Sequence, residues 1–336
     1  MSLDAVKPAQ PMPLRGPSQL ERAALLALER NETNHAAALA GLDCLQRAEA
    51  PASALGEPLG FPLTIATWNL ERCYAVEASA ALLARERADI ALLSEVDNGM
   101  ARTGQRHTAA DIAGLLGMGH AFGVEFLELE LGDAMELQFC TDDVNLHGFH
   151  GNALLARAGL QAPVMIRLEE HGHWFRPESP AHRIGTRCAI AAVVMTTAGP
   201  LYLVSVHLES AAQADYREQQ MAGLIAAIEQ LAGTMPVVIG GDLNTGVGHA
   251  GDFEQETLFA LATRHGFERH GGPLAQMTTR TSRISRGPKS GYKLDWFLTR
   301  GVVVEQSRIV PAVAPDGEVL SDHDMVIVNI AGLAGH

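Results

Sequence analysis

Aromatic residues, positive charge and paired cysteines are all scarce in this chain, and no apolar run is long. Phe, Trp and Tyr make up 5% of its 336 residues, few for a protein that stacks bases on aromatic platforms. Lys and Arg number 25 against 39 Asp and Glu, a net charge of −14 that disfavours general electrostatic binding of a polyanion. The four cysteines, Cys44, Cys73, Cys140 and Cys188, form no CxxC pair. A zinc knuckle and a disulfide framework are therefore not indicated, and the residues read as buried free thiols. The longest apolar run, "CAIAAVVM", is far shorter than the roughly 20 residues that span a bilayer, and the first 19 residues hold no apolar core of signal-peptide length. No membrane span and a cytoplasmic location are expected.

What is present is ample apolar material, 47% of the chain, in a pattern of short runs. Residues 1–17 are rich in Pro and are expected to lack order. "SQLE" at Ser18 matches a capping box with Glu21, so a helix is predicted to start there, followed by a second from about Asn34 to Arg47. Residues 18–60 thus read as a helical extension ahead of a main domain over 61–333. In that domain "LTIATW", "DIALLS", "GNALLA", "AIAAVVM", "LYLVSVHL", "PVVIG", "KLDWFLT" and "DMVIVNI" have the length and β-branched content of strands. Helical segments alternate with them, the longest following Ser210 and Gln213, spaced as another capping box. The break "TTAGP" between 188 and 208 predicts a hairpin, so the sheets are mixed.

Polar residues recur where these strands end. "TIATWNLE" closes on Asn69 and Glu71, "IALLSEVD" on Glu95 and Asp97, and "LVSVHLE" on His207 and Glu209. "PVVIGGDLNTG" places Asp242 and Asn244 after two glycines, Asp295 sits inside "KLDWFL", and "SDHD" carries Asp322 and His323. Singly, each is an ordinary strand end or turn. Together they supply the carboxylate and carboxamide oxygens that hard divalent cations take, with the bases and donors that phosphoryl transfer needs.

The ordered set "TWNLE", "LLSEVD", "GNALLAR", "VSVHLE", "GGDLNT", "KLDWFL" and "SDHD" resembles the endonuclease/exonuclease/phosphatase superfamily over roughly residues 61–333. The resemblance implies an α/β fold, a four-layered sandwich of two mixed β-sheets packed face to face with helices outside. It also implies Mg²⁺ or Mn²⁺ and a phosphoester substrate. Carried over by position, Glu95 resembles the principal metal ligand, with Asn69 and Asp322 as further ligands and Glu71 a weaker one. Asp242 looks like the residue that orients or deprotonates the attacking water, and Asn244 like the carboxamide that holds it and the phosphate. His207 is similar to a phosphate-contacting histidine, and His323 with Asp295 to a dyad at the leaving or phosphoryl oxygen. Asn152 and Arg102 resemble substrate contacts, Arg102 from an exposed loop where Asp97 is an alternative partner. The glycines before Asp242 are expected to let backbone approach the substrate. Ser94 stands where the resemblance leads one to expect glutamine.

Charge is uneven near these motifs. From His107 to Ala156 there is no Lys or Arg, while Glu125, Glu128, Glu130, Asp133, Glu136, Asp142 and Asp143 fall inside. Residues 271–294 hold Arg280, Arg283, Arg286, Lys289 and Lys293 and no acid. An acidic wall facing a short phosphate-attracting rim suits a small or lipid-derived phosphoester better than a duplex. The reading is a Mg²⁺-dependent phosphodiesterase or phosphatase, with a nuclease of the same fold as the alternative. His147, His150, His171 and His173 read as pocket or surface residues.

Overall fold

The computed structural model describes residues 5–52, 56–169, 171–179, 181–285 and 291–335. Its strands are β1 (Val6–Gln10), β2 (Ala48–Glu49), β3 (Leu63–Arg72), β4 (Ile90–Asn98), β5 (Gly119–Glu128), β6 (Phe149–Ala156), β7 (Gln161–Arg167) and β8 (Arg183–Gly185). They continue with β9 (Cys188–Thr196), β10 (Gly199–His207), β11 (Val237–Asp242), β12 (Glu268–His270), β13 (Asp295–Arg300), β14 (Val302–Val310) and β15 (Met325–Leu333). The α-helices are α1 (Gln19–Leu26), α2 (Glu32–Gly41), α3 (Asp43–Gln46), α4 (Val76–Arg85), α5 (Thr108–Leu116), α6 (Ala214–Ala232) and α7 (Thr257–Arg264).

One sheet runs β12-β13-β11-β10-β9-β7-β1 and the other β2-β5-β6-β4-β3-β15-β14, with β8 on β5. Parallel pairing of β1 with β2 joins them at one edge. The strands are apolar on both faces because each sheet is covered twice. On β3, Leu63 and Ile65 enter the core between the sheets, where Ile190, Leu203 and Val238 meet them. The alternate residues Ala66, Trp68 and Leu70 turn outward into a second core with Leu83 of α4 and Ile112 of α5. The outer face of the other sheet packs Val204, Ile239 and Leu298 against Leu224 and Ile228 of α6 and Leu258 of α7. Helix, sheet, sheet, helix gives the four layers that the sequence implied.

Several local expectations are corrected. Residues 6–10, expected to lack order, form β1, which pairs with β7 as well as β2. The Ser18–Glu21 capping box is present. The second helix instead breaks at Leu42 into α2 and α3. Ser210 and Gln213 make no box: α6 starts after Gln213 without a side-chain cap. The hairpin is β9–β10. Cys44, Cys73 and Cys188 are buried and Cys140 is partly so, and all four are free.

Candidate active site

Strand register assembles the site from residues far apart in sequence. Parallel pairing of β10 with β11 sets His207 beside Asp242, and antiparallel pairing of β11 with β13 sets Asp242 beside Asp295. From the facing sheet, parallel β3 and β4 align Asn69 with Ser94, one residue before Glu95. His323 lies just before β15, which pairs with β3. The two sheets therefore deliver their polar ends to one edge of the sandwich.

Asp242 Oδ2 is the point of convergence. It accepts from Asn69 Nδ2 at 3.1 Å and lies 3.6 Å from His207 Nε2 and 3.8 Å from His323 Nε2. Each histidine is backed by a buried carboxylate at its other nitrogen. His323 Nδ1 is 2.8 Å from Asp295 Oδ2, and His207 Nδ1 is 3.3 Å from Glu125 Oε2. Burial opposes charge on His323, but Asp295, Asp242 and Asp322 outweigh it and hold the imidazole protonated well above its ordinary range. Asp242 Oδ1 accepts the Asn244 backbone N–H at 2.9 Å. Asn244 sits at φ 50°, and its side chain donates to Leu208 O at 2.9 Å, which ties the ends of β10 and β11 together.

Beside this cluster is a cleft of about 250 Å³ lined by Glu71, Arg72, Glu95, Asp133, Glu136 and Asp322. Glu71, Arg72 and Cys73 all have positive φ (44°, 73° and 63°), as does Glu95 at 52°. Such left-handed non-glycine backbone is strained and concentrates at functional sites. Burial, followed by the charges of Asp322 and Glu95, pushes Glu71 up to about 7. Burial would also raise Glu95, but Arg72, which makes a short ion pair with it, keeps it well below the usual carboxylate range. Of the five carboxylates round this cleft, Glu71, Glu95 and Asp322 repel one another, and burial together with that repulsion raises Glu71. Oxygen donors of this kind suit a hard divalent cation, which would relieve the repulsion. The residues at this edge whose ligand atoms already lie within 4.8 Å of one another are Asp242, Asp295 and His323.

Not every predicted residue meets the cleft as expected. Asn69 turns its amide NH₂ to Glu95 Oε1 and Asp242, while its Oδ1 accepts Glu71 N–H at 3.0 Å, so it bridges carboxylates. Arg102 is not an exposed loop residue: its side chain is 0% exposed, its guanidinium grips Asp97 at 2.8 and 3.0 Å, and Glu136 takes a third bond at 3.0 Å. A fork consumed in this way has no donor turned to a substrate. Asn152 is fully buried, donating to Cys188 O at 2.8 Å, and its Oδ1 has no hydrogen-bond partner. Ser94 is buried with its hydroxyl unpartnered. Steric need accounts for the two glycines without any ligand. A Cβ on Gly241 would lie 1.7 Å from Val206 O, and one on Gly240 would strike Leu92 of the facing sheet and Phe297.

The charged windows also change meaning. Glu125 pairs with Arg187, Glu128 with Arg183 and Arg102, and Glu136 with Arg72 and Arg102, all buried except the partly exposed Arg72. Glu130, Asp133, Asp142 and Asp143 remain exposed. In the basic window Arg280 pairs with Asp324 and Arg283 with Glu318, while Lys293 is buried and donates to the carbonyls of Gly271, Pro273 and Gln276. Arg286 and Lys289 lie outside the described residues. Sequence reasoning counted Glu125 as surface acidity and overlooked Arg187 and Arg72. Their only signal was position: Arg72 directly follows Glu71, and Arg187 precedes β9.

Two facing mixed sheets with a carboxylate and histidine cluster at one edge define a layered α/β protein whose polar site sits at the edge of the sandwich. The sequence model of the Endonuclease/Exonuclease/phosphatase family matches residues 66–323, and the chain belongs to that family. Members of this family hydrolyse phosphoester bonds and are generally dependent on divalent metals. Among curated proteins, none matches by sequence. Solved structures share the fold. An endonuclease/exonuclease/phosphatase from Beutenbergia cavernae is 19% identical with TM-score 0.58, over 81% of this chain and 72% of that one. The human Nocturnin catalytic domain with bound sulfate is 15% identical, TM-score 0.55, over 82% and 96%. D. rerio TDP2 complexed with single-strand DNA product is 16% identical, TM-score 0.51, over 80% and 99%.

Proposed function

We propose that the chain is a Mg²⁺- or Mn²⁺-dependent phosphodiesterase or phosphatase acting on a small or lipid-derived phosphoester. The observation that carries this is the convergence of Asn69, His207 and His323 on one oxygen of Asp242, beside the Glu71, Glu95 and Asp322 cleft. In this reading Glu71, Glu95 and Asp322 hold the cation. When bound, it neutralises a non-bridging phosphoryl oxygen. Asp242, fixed by the Asn244 backbone and the Asn69 amide, accepts the proton of the attacking water at Oδ2. His323, oriented through Nδ1 by Asp295 and kept protonated, donates from Nε2 to the phosphoryl or leaving oxygen. His207, held by Glu125 and Arg187, donates to another phosphoryl oxygen. Asn152 acts as a buried support that ties β6 to Cys188 at the start of β9.

The preference for a small substrate no longer rests on an acidic wall. It rests on the cleft's size and on Arg72, Arg102, Arg183 and Arg187, each consumed by buried carboxylates. Among the described residues no free cationic strip leads from the cleft along a polynucleotide backbone. TDP2's bound DNA is the reason to keep a nuclease as the alternative. No helix among the described residues is long and apolar enough to cross a membrane, and a cytoplasmic location is part of this reading.

The test is hydrolysis of bis-aryl and aryl phosphates with Mg²⁺, Mn²⁺ or chelator. Turnover should need the metal, and Asp242→Asn should lower kcat by about 10²- to 10⁴-fold. Full activity in chelator, or in Asp242→Asn, would overturn the assignment.

A further inference from the structure

A second cluster of ligand-type side chains lies outside the cleft, and one of its members, Glu49, lies outside the family match as well. Glu49 is on β2, in the N-terminal extension, and residues 66–323 carry the family resemblance. Antiparallel pairing sets Glu49 opposite Phe122 of β5, and His120, two residues earlier on β5, shares that face. His107 stands at the N-terminus of α5, its ring edge-on to Phe122 at 4.9 Å and to His120 at 5.4 Å. Three chain segments thus bring two imidazoles and a carboxylate together.

The distances suit coordination. His107 Nε2 is 3.2 Å and His120 Nε2 3.8 Å from Glu49 Oε1, and the three ligand atoms lie within 4.8 Å of one another. Tetrahedral bonds of about 2.1 Å separate donors by about 3.4 Å, so small side-chain shifts would close the cluster on one ion. His120 Nε2 is buried without a hydrogen-bond partner, the kind of orphaned donor atom that a metal satisfies. Glu49 Oε2 accepts Leu14 N–H at 2.8 Å, a bond that orients the carboxylate from behind. Burial alone would raise Glu49, but His107 and His120 keep it ionised well below the usual carboxylate range. Side-chain exposures of 18% and 12% at His107 and His120 leave a path for entry.

We propose that Glu49, His107 and His120 form a Zn²⁺-class metal site that clamps the N-terminal extension to the β5 edge of the catalytic sheets. Two nitrogens and one oxygen suit zinc and similar borderline ions, whereas Mg²⁺ takes oxygen alone. The site differs in ion class from the catalytic cleft and leaves a fourth position for water. Loading has one local consequence. His107 Nδ1 accepts Ala110 N–H at 3.4 Å, the longest bond here. Coordination through Nε2 moves the ring proton to Nδ1, so that cap is given up.

The experiment is equilibrium dialysis of chelator-stripped protein against Zn²⁺ in excess Mg²⁺, with metal analysis. One zinc per chain should be held, in wild type and in Glu95→Gln alike, which separates this site from the cleft. His120→Gln should weaken it at least tenfold while Mg²⁺-dependent turnover is unchanged. X-ray absorption of the zinc-loaded wild type should show two imidazole nitrogens, and this measurement stands even if the variant does not fold. Zinc that is lost in Glu95→Gln, retained unchanged in His120→Gln, or bound only by oxygen would overturn the site, as would a wild type that holds none.

Discussion

Asp242 and Arg102 show how the same physics yields a reactive group in one place and a staple in another. Asp242 meets two histidines whose other nitrogens are already committed, so its Oδ2 is the oxygen on which a water could be oriented. Asp295 acts through His323 in this scheme. Asp295→Asn should therefore lower kcat steeply while KM changes little, measured by steady-state kinetics on an aryl diester. Arg102 instead serves three carboxylates in the interior. Truncation to Ala would leave Asp97 buried without its arginine and take one of the two arginines from Glu136, which keeps Arg72, a loss of about 3–5 kcal/mol. Urea unfolding should register that loss, and in protein that remains folded KM should stay near wild type.

At the scale of elements, the end of β7, α6 and the start of β9 are joined through one buried acid. Glu169 accepts from the Tyr216 hydroxyl, from Gln220 Nε2 at 2.9 Å and from Arg187 N–H at 3.3 Å. Burial pushes it up to about 7. Its folded pKa lies above the unfolded value near 4.3, so the folded state holds the proton more tightly. The stabilisation is full below the unfolded pKa and is lost as pH rises through about 7. Glu169→Gln should flatten this slope and raise stability relative to wild type at pH 8 by on the order of 2 kcal/mol, with a smaller difference at pH 5. Thermal melts across that range decide it. Another element-level expectation concerns α1. Ser18→Ala removes the box with Glu21 and should cost about 1 kcal/mol locally, read as faster amide exchange in Gln19–Leu26.

For the whole molecule, net charge and the engagement of its arginines act together. A chain at −14 whose cleft arginines are neutralised gains little from counterion release. Turnover of a small diester should vary weakly between about 50 and 200 mM salt, and plasmid nicking should be slow even at the low end. Plasmid cleavage faster than any small diester, abolished in Asp242→Asn, would transfer the assignment to a nuclease.

The layered α/β character, the eight strands with apolar cores and the polar residues at their ends follow from local pattern, because a strand buried on both faces must be apolar along its length whatever surrounds it. The Ser18 cap was legible for the same reason, since its partner is three residues away. Tertiary structure decided the rest. Short β1 and β2 have no periodicity to read and exist because β7 and β5 offer them edges. Glu125 reaches Arg187 across 62 residues and Asn69 reaches Asp242 across 173. Whether an acid is a solvated wall or half of a buried ion pair depends on which distant cation the fold sets beside it, and that is fixed by strand register.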